Sequence, residues 1–308
     1  MTPSLLHPIL MPYIDCAEMT RQAVEDCMAQ RLDPPPTLLL IDNGSQEEGR
    51  ALADDLAAAH PGRILVWHHD PPFPSLSAVW NRALRFCWEA GATEAWAVNN
   101  DVRLHQDTYA VLLNAMTVAR AWFVTGVSVK EGQFDPTMDL WAAPGTPTPS
   151  RDDGIRPEGF HYGGPDFSCC LIRKECHRWF QFDEGFVPAY HEDNDFHRRL
   201  QLAGFGERIY GLNIPFLHYG SATVNRSPDI RAQWQPRFAA CQRYYVEKWG
   251  GLPGSETFTF PFNQSLPPVL QDAVLGFADP RVLYLGQGKP PYQVTSWPFD
   301  APTPSPTI

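Results

Sequence analysis

The chain has 308 residues, of which 44% are hydrophobic, and its formal net charge at pH 7 is -11. This size allows one large domain with an appendage, and the acidic balance disfavours a protein that wraps a nucleic-acid backbone. The sequence has neither a long uncharged apolar run nor a basic N-terminal segment followed by an apolar one, so we expect a cytoplasmic protein without a membrane span.

Strand and helix patterns alternate over the first half of the chain. Apolar runs predict strands at residues 7–11, 37–41, 64–67 and 94–98. Apolar residues at helical spacing predict helices at residues 17–30, 45–59 and 77–88. Asp15 with Glu18, and Ser45 with Glu48, fit capping boxes at the starts of the first two helices. The repeat predicts an α/β fold with a mostly parallel sheet, whose ligands lie beyond the carboxyl ends of the strands.

The second half of the chain is less regular. A predicted helix at 107–119 and a strand at 122–129 precede residues 130–165, which are rich in Gly, Pro and Asp and predict a long functional loop. The elements expected beyond that loop are strands at 166–172 and 209–217 and helices at 174–180, 191–203 and 229–249. We therefore predict one domain over 1–225, an amphipathic helix packing on it over 226–252, and a Pro-rich C-terminal extension over 253–308.

Two acidic clusters are the strongest indication of function. Asn99-Asn100-Asp101 follows the apolar strand at 94–98, and His191-Glu192-Asp193-Asn194-Asp195 opens a predicted helix. A carboxylate at the end of a buried strand can hold a cation, and one at the start of a helix can take a proton from a hydroxyl. The structural alternative is that Asp101 only begins a turn and that Glu192 and Asp193 only cap a helix.

The order of the motifs resembles that of family 2 glycosyltransferases, over roughly residues 9–223. The motifs that carry this resemblance are Pro12-Tyr13, Asp42-Asn43-Gly44-Ser45, Asn81, Asn99-Asn100-Asp101, Phe182-Asp183-Glu184-Gly185-Phe186, Glu192-Asp193-x-Asp195, Arg198 or Arg199, and Gly204-Phe205. The resemblance implies a GT-A (Rossmann-like) fold, with a nucleotide-sugar half at about 1–130 and an acceptor half at about 131–225.

The resemblance also implies an activity, namely inverting transfer of a single sugar from a nucleotide-diphosphate sugar to an acceptor hydroxyl. The acceptor would be a glycan, a lipid-linked molecule or a small molecule, and a UDP-sugar is the commonest donor in the family. A divalent cation, Mn or Mg, would neutralise the leaving diphosphate. The sequence contains no Q-x-x-R-W motif, which favours single addition over processive synthesis.

Individual residues acquire roles from the same resemblance. Asp101 matches the last acid of the family's D-x-D metal motif, whose first acid is Asn99 here, and His218 lies where some members have a metal-binding histidine. Asp193 matches the catalytic base, with Glu192 positioning it or contacting the acceptor. The residues expected to contact the donor are Pro12, Tyr13, Asp42 (through the nucleotide base), Asn81, Arg82, Asn99 and Asn100. The weaker candidates for acceptor contacts are Trp141 and Asp166.

Two other function classes compete with this reading. One is a glycosyltransferase that acts on a modified nucleobase in DNA or on a protein, for which a basic strip is the feature to seek. Its members would be Arg82, Arg85, Arg103 and Arg120. The other is a nucleotidyltransferase or an inactive nucleotide-binding module. Release of nucleoside diphosphate indicates a glycosyltransferase, release of pyrophosphate a nucleotidyltransferase, and nucleotide binding without turnover an inactive module.

Overall fold

The computed structural model describes residues 5–142, 167–220 and 228–263 of the chain. The strands in these ranges are β1 (Pro8–Tyr13), β2 (Thr37–Asp42), β3 (Ile64–His68), β4 (Glu94–Val98), β5 (Val102–Arg103), β6 (Phe123–Val129), β7 (Cys169–Arg173) and β8 (Ile209–His218). The α-helices are α1 (Ala17–Met28), α2 (Glu47–Ala59), α3 (Leu76–Glu89), α4 (Thr108–Val118), α5 (Lys174–Trp179), α6 (Glu192–Leu202) and α7 (Pro228–Trp249). The predicted elements are present, with ends shifted by up to three residues.

The strands form a single sheet in the order β3-β2-β1-β4-β7-β6-β8-β5. The pairs β1/β2, β1/β4, β2/β3 and β6/β8 are parallel. Strand β7 is antiparallel to both β4 and β6, and the two-residue β5 is antiparallel to β8. The predicted mostly parallel sheet flanked by helices is confirmed. The sequence analysis missed β5, which is too short to show a hydrophobic period.

Alternation along the strands divides the core into two layers. In β4, Trp96 and Val98 face the layer that contains α1, α2 and α4, whereas Ala95 and Ala97 face the layer that contains α3, α5 and α6. Successive side chains of a strand point to opposite faces, so a strand covered on both sides must be apolar throughout. Helices therefore cover both faces of the sheet, and the strand ends are left as the place for polar groups.

The two predicted capping boxes are wrong. The N-cap residues are Cys16 and Gln46, and neither helix has a side-chain cap. Instead, the Ser45 hydroxyl accepts the Asp15 N–H at 2.8 Å, and the Asp15 carboxylate accepts the Gln46 N–H at 2.8 Å. Because β1 and β2 are parallel neighbours, the loops that follow them lie side by side, and these side chains join the loops rather than capping their own helices.

Parts of the predicted organisation fall outside the described residues. Asp166 and most of the predicted loop at 130–165 are among them, as is the Pro-rich extension beyond residue 263. The predicted amphipathic helix is α7, and its second half buries Cys241, Tyr245 and Trp249. Among the residues that the structure describes, no helix is both long and apolar enough to cross a membrane.

Candidate active site

Asp101 and His218 lie side by side at the carboxyl edge of the sheet. Val102 and His218 are partners in the β5/β8 pair, and the Asp101 carbonyl accepts the Tyr219 N–H at 3.0 Å. This pairing places His218 Nε2 3.3 Å from Asp101 Oδ1. The His218 side chain is 19% exposed and that of Asp101 only 8%, so an imidazole and a largely buried carboxylate converge on one point at this edge.

Ser168 joins this pair to the first acidic cluster. Its hydroxyl accepts from Asn99 Nδ2 at 3.0 Å and lies 3.2 Å from His218 Nδ1, while its carbonyl accepts the Asn99 N–H at 2.9 Å. Asn100 turns the other way and donates from Nδ2 to Thr20 Oγ1 at 2.9 Å. Ser168 could not be identified from the sequence, because it stands in an apolar run and only the antiparallel placement of β7 brings it to this edge.

The donor atoms at this point fit a divalent cation with a small protein ligand set. First-row divalent ions accept both carboxylate oxygen and imidazole nitrogen, and Mg and Mn prefer sites that oxygen completes. Within the described part of the chain, no group of three or more His, Cys, Asp or Glu side chains could hold a metal. Asp101 and His218 would therefore supply two ligands, and a bound diphosphate and water would supply the others.

The Asp42 side chain is not exposed at the carboxyl edge of the sheet. Its side chain is fully buried, Oδ1 accepts the Ser45 N–H at 2.8 Å, and Oδ2 lies 2.9 Å from His68 Nδ1. A fully buried carboxylate cannot contact a nucleotide base unless its loop moves. The geometry therefore disagrees with a direct contact between Asp42 and the base: the register of β2 and β3, which pairs Asp42 with His68, turns the carboxylate inward.

In the hydrogen-bonded pair of His68 and Asp42, His68 is the side chain that is accessible to solvent. Its side chain is 35% exposed, and its Nε2 lies 3.2 Å from Asp54 Oδ1. Burial lowers the pKa of His68, but the hydrogen bonds to Asp42 and Asp54 outweigh burial and raise the pKa above its ordinary value. The sequence alone could not show this, since adjacent histidines on a strand point to opposite faces and only the strand pairing selects the neighbour of each one.

Three other predicted donor contacts are also directed into the protein. Pro12 is buried, and Tyr13 is 2% exposed and donates its hydroxyl hydrogen to the Gly49 carbonyl at 2.7 Å. Asn81 is 1% exposed; its Nδ2 donates to the Phe182 carbonyl at 2.8 Å, and its Oδ1 accepts the Phe182 N–H at 3.0 Å. Arg82, one position further along α3, remains half-buried with part of its surface accessible.

The hydrogen bonds of Asn81 have a structural consequence for the second acidic cluster. They hold the segment before α6 against the start of α3, as does the hydrogen bond from the Leu76 N–H to the Pro188 carbonyl at 2.8 Å. Helix α3 follows β3 and begins at the carboxyl edge of the parallel strands. The loop that leads into Glu192 and Asp193 is therefore fixed at the same edge as Asp101.

Packing of α6 provides a second link between the clusters. The ring of Phe167, the residue before Ser168, lies 5.5 Å from the ring of Phe196 and 5.1 Å from that of His197. Ser168 in turn contacts Asn99 and His218. Two consecutive residues therefore link the clusters: Ser168 contacts the Asp101–His218 pair, and Phe167 packs against α6, the helix that carries Asp193.

The start of α6 holds two carboxyl groups in different environments. Glu192 is 8% exposed, and its Oε2 has no hydrogen-bond partner among the residues that the structure describes. Burial, together with the charge of Asp193, raises the pKa of Glu192 to about 8. Asp193 is half-buried, and its Oδ1 accepts the Asn194 N–H at 2.7 Å. The N-cap is His191, in a left-handed conformation with φ of 70° and no side-chain cap, so neither acid is the N-cap, although Asp193 accepts a first-turn N–H.

Replacing Glu192 by glutamine is expected to flatten the pH dependence of stability. The pKa near 8 in the folded protein lies above the usual value of 4.5. The folded state therefore retains a proton that the unfolded chain releases, and this contribution to stability is present below about pH 4.5 and lost as the pH rises through about 8. Glutamine cannot ionise, so the variant should gain stability relative to the wild type at alkaline pH.

Urea midpoints at acidic, neutral and alkaline pH measure this difference. The matched control is Glu47→Gln, an exposed acid in the first turn of α2, which should follow the wild type. Parallel pH profiles for wild type and Glu192→Gln would show that the Glu192 carboxyl is not held protonated.

A buried ion network supports α6 from behind. We define it as Asp183, Asp195, Arg199 and Lys248, all with fully buried side chains. Lys248 Nζ lies 2.7 Å from Asp183 Oδ2 and 2.5 Å from Asp195 Oδ1, and Arg199 Nε lies 2.8 Å from Asp195 Oδ2. Trp249 Nε1 also donates to Asp195 Oδ1 at 2.9 Å. Helix α7 is thereby bonded to the first turn of α6, beside Asp193.

The pairing of Asp195 with Arg199 follows from helical spacing, whereas Lys248 was missed. Lys248 sits among charged and aromatic residues near the end of an amphipathic helix, where a lysine normally faces solvent. Only the packing of α7 against α6 shows that the Lys248 ammonium group pairs with Asp183 and Asp195, both distant from it in the sequence.

The remaining predicted residues lie away from Asp101 and Asp193, except Asp166, which is outside the described residues. Trp141 is 39% exposed, and none of its described contacts joins it to Asp193 or Asp101. The arginines proposed as a basic strip do not form one: Arg103 pairs with Asp26 at 2.7 Å, and Arg85 is 8% exposed. Arg120 follows α4 at the opposite edge of the sheet.

Several solved structures resemble this chain. The mannosyltransferase PcManGT from Pyrobaculum calidifontis, solved with GDP-Man and Mn²⁺, has a TM-score of 0.52 and 13% identity, covering 91% of this chain and 73% of its own. GalNAc-T7, solved with UDP, GalNAc and Mn²⁺, has a TM-score of 0.52 and 12% identity, covering 79% and 51%. TarS from S. aureus has a TM-score of 0.50 and 10% identity, covering 70% and 37%.

These similarities establish the fold. The matched structures are glycosyltransferases of the GT-A fold, and this chain has that Rossmann-like α/β fold. The chain spans only 37% of the length of TarS. No protein-family model and no curated protein matches the sequence.

Proposed function

We propose that this protein is a metal-dependent inverting glycosyltransferase of family 2, which moves one sugar from a nucleotide-diphosphate sugar to an acceptor hydroxyl. The observation that carries the proposal is the arrangement around Ser168. The Asp101–His218 pair lies on one side of Phe167-Ser168, and the helix of Glu192 and Asp193 lies on the other. A cation-binding pair and a candidate base on one edge of a GT-A sheet suit transfer from a diphosphate.

Asp193 is the proposed general base. In an inverting transfer the acceptor oxygen forms the new bond to the anomeric carbon as the bond to the diphosphate breaks, and the hydroxyl proton passes to a carboxylate. Asp193 is half-buried at a helix start that two neighbouring segments fix, so its carboxylate is pre-positioned. Glu192, kept protonated by burial, would donate a hydrogen bond to the acceptor or to Asp193 rather than compete for the proton.

The donor would bind across the carboxyl ends of β1 to β4. Asp101 and His218 would hold the cation, which supplies charge stabilisation for the leaving diphosphate. Asn99, Arg82 and the exposed part of His68 remain as the accessible candidates for donor contacts, whereas Asp42 would act through His68. PcManGT was solved with GDP-Man and GalNAc-T7 with UDP, so we leave the base of the nucleotide to experiment.

Removing either cation ligand should weaken metal-dependent nucleotide binding. Asp101→Ala and His218→Ala should each reduce the affinity for UDP or GDP in the presence of Mn²⁺ at least about tenfold, because each would remove one of the two side chains proposed to hold the ion. Isothermal titration with Mn²⁺ and with EDTA measures the difference. Binding in EDTA should be equally weak in wild type and variants.

The chain offers a matched control for this experiment. His7 Nδ1 lies 3.2 Å from Glu94 Oε1 at the opposite end of the strands, with side-chain exposures of 18% and 13%. His7→Ala removes the imidazole of a similar pair and should leave the Mn²⁺ dependence unchanged. Unchanged nucleotide affinity in both Asp101→Ala and His218→Ala would show that the cation does not bind at these two side chains.

A donor screen tests the proposed function as a whole. Wild-type protein is incubated with nucleotide-diphosphate sugars and Mn²⁺, and the products are separated. Release of nucleoside diphosphate supports the proposal; release of pyrophosphate would assign the nucleotidyltransferase alternative. Binding of a nucleotide without turnover, in the presence of candidate acceptors, would assign an inactive module. The dispersed arginines give no support to a DNA acceptor.

A further inference from the structure

The first half of α7 extends the helix beyond the part that packs on α6. Cys241 and Tyr245 are buried, whereas the described side chains from 231 to 240 are exposed except at Trp234 and Phe238, which are half-buried. Trp234 and Phe238 precede Cys241 and Tyr245 at helical spacing and so continue the same face. The apolar face that docks α7 onto the protein therefore runs on past the docked region.

Basic side chains border this face. Arg231 and Arg237 are exposed on either side of the aromatic pair, and the Arg237 guanidinium lies 5.5 Å from the centroid of the Trp234 ring. Residues 230–246 contain three arginines and no aspartate or glutamate, in a chain whose net charge is -11. Neither Arg231 nor Arg237 forms an ion pair within the part of the chain that the structure describes.

The same surface continues onto the loop before α6. The Tyr190 ring lies 4.3 Å from the Phe238 ring, and Tyr190 and Val187 keep 40% and 45% of their surface exposed. We call Val187, Tyr190, Arg231, Trp234, Arg237 and Phe238 the α7 face. Because this loop leads directly into Glu192, the α7 face borders the candidate base.

We propose that the α7 face binds the surface of an anionic lipid bilayer. Tryptophan and tyrosine favour the boundary between headgroups and acyl chains, and arginine is attracted to anionic headgroups over about a Debye length. Most side chains around the aromatic pair on α7 are exposed, so they form no concave wall of the kind that encloses a small ligand. An apolar helix face bordered by exposed arginines suits an extended anionic surface.

This interaction has a consequence for the acceptor, which rests on the proposed function. A bilayer contact through Val187 and Tyr190 would hold the start of α6 close to the headgroups. An acceptor hydroxyl carried on a lipid would then approach Asp193 along the membrane surface. Of the three possible acceptors, a glycan, a lipid-linked molecule and a small molecule, the lipid-linked molecule fits this arrangement.

Co-sedimentation of the full chain with vesicles tests the binding directly, without donor or acceptor. Vesicles of phosphatidylcholine containing about a third phosphatidylglycerol are compared with vesicles of phosphatidylcholine alone, at low and high salt. We expect binding to the anionic vesicles only, weakened by high salt. Arg231→Glu/Arg237→Glu and Trp234→Ala/Phe238→Ala should each bind about tenfold or more weakly, with unchanged circular dichroism.

The matched control is Arg178→Glu/Trp179→Ala. Both residues are exposed on α5, which follows β7 at the opposite edge of the sheet, and the variant should bind like the wild type. Equal binding to neutral and anionic vesicles, no binding by the wild type, or undiminished binding by both α7 variants would overturn the proposal. Binding of polyuridylate in place of vesicles would also overturn it, in favour of RNA. A negative donor screen would leave the vesicle result standing.

Discussion

Replacing Lys248 by methionine is expected to destabilise the protein by about 3–5 kcal/mol, the usual cost of removing one partner from a buried ion pair. Methionine keeps most of the side-chain volume but leaves Asp183 and Asp195 without the ammonium group that lies 2.7 and 2.5 Å from them. Arg199 would then be the remaining cation for two buried carboxylates of the network. Urea unfolding at neutral pH measures the loss.

Charge balance gives this prediction a sharp control. Asp183→Asn combined with Lys248→Met restores a neutral network of Asp195 and Arg199, so the double variant should be more stable than Lys248→Met alone. Glu247→Gln changes an exposed charge at the preceding position and should stay within about 0.5 kcal/mol of wild type. If the double variant loses the sum of the two single losses, the ammonium group does not balance Asp183.

Asp193→Asn is expected to reduce sugar transfer by a factor of about 10² to 10⁴, the range that general base catalysis contributes. Asparagine has nearly the same shape but cannot take the acceptor proton. Donor binding should be unaffected, because the proposed cation ligands, Asp101 and His218, belong to other elements. Transfer is followed by release of nucleoside diphosphate with a donor and acceptor found by screening, and donor affinity by titration in Mn²⁺.

Two comparisons separate loss of the base from loss of structure. Glu47→Gln removes an exposed first-turn acid from α2 and should transfer at the wild-type rate. Asp101→Ala should lose donor affinity along with transfer, whereas Asp193→Asn should lose transfer alone. Transfer at an undiminished rate by Asp193→Asn would end its assignment as the base and direct attention to Glu192.

The sequence predicted the elements well because their apolar period is local. Strand β4 was located to the residue, since Glu94–Val98 is a short apolar run between turn residues. The sequence also indicated the edge of the sheet at which Asp101 lies, because the carboxyl ends of parallel strands lie at the same edge. The likeness in fold to known GT-A glycosyltransferases bears out the resemblance at the level of fold.

What the sequence could not predict depends on contacts between distant elements. The burial of Asp42 follows from the register of β2 with β3, and the position of Ser168 from the antiparallel insertion of β7. Asp15 and Ser45 fit a local capping pattern but hydrogen-bond across two loops. In each case at least one hydrogen-bond partner of the polar side chain comes from an element distant in the sequence, which a local pattern cannot indicate.

The contact of Lys248 with Asp183 and Asp195 bears on where this protein can be divided. The sequence places a boundary near residue 225, with the following helix as an accessory. A fragment ending there would retain both carboxylates and lose the ammonium group and the indole that contact Asp195. We therefore expect residues 1–225 alone to be less stable than a chain that includes α7, so a protein made for expression, crystallisation or engineering should retain α7.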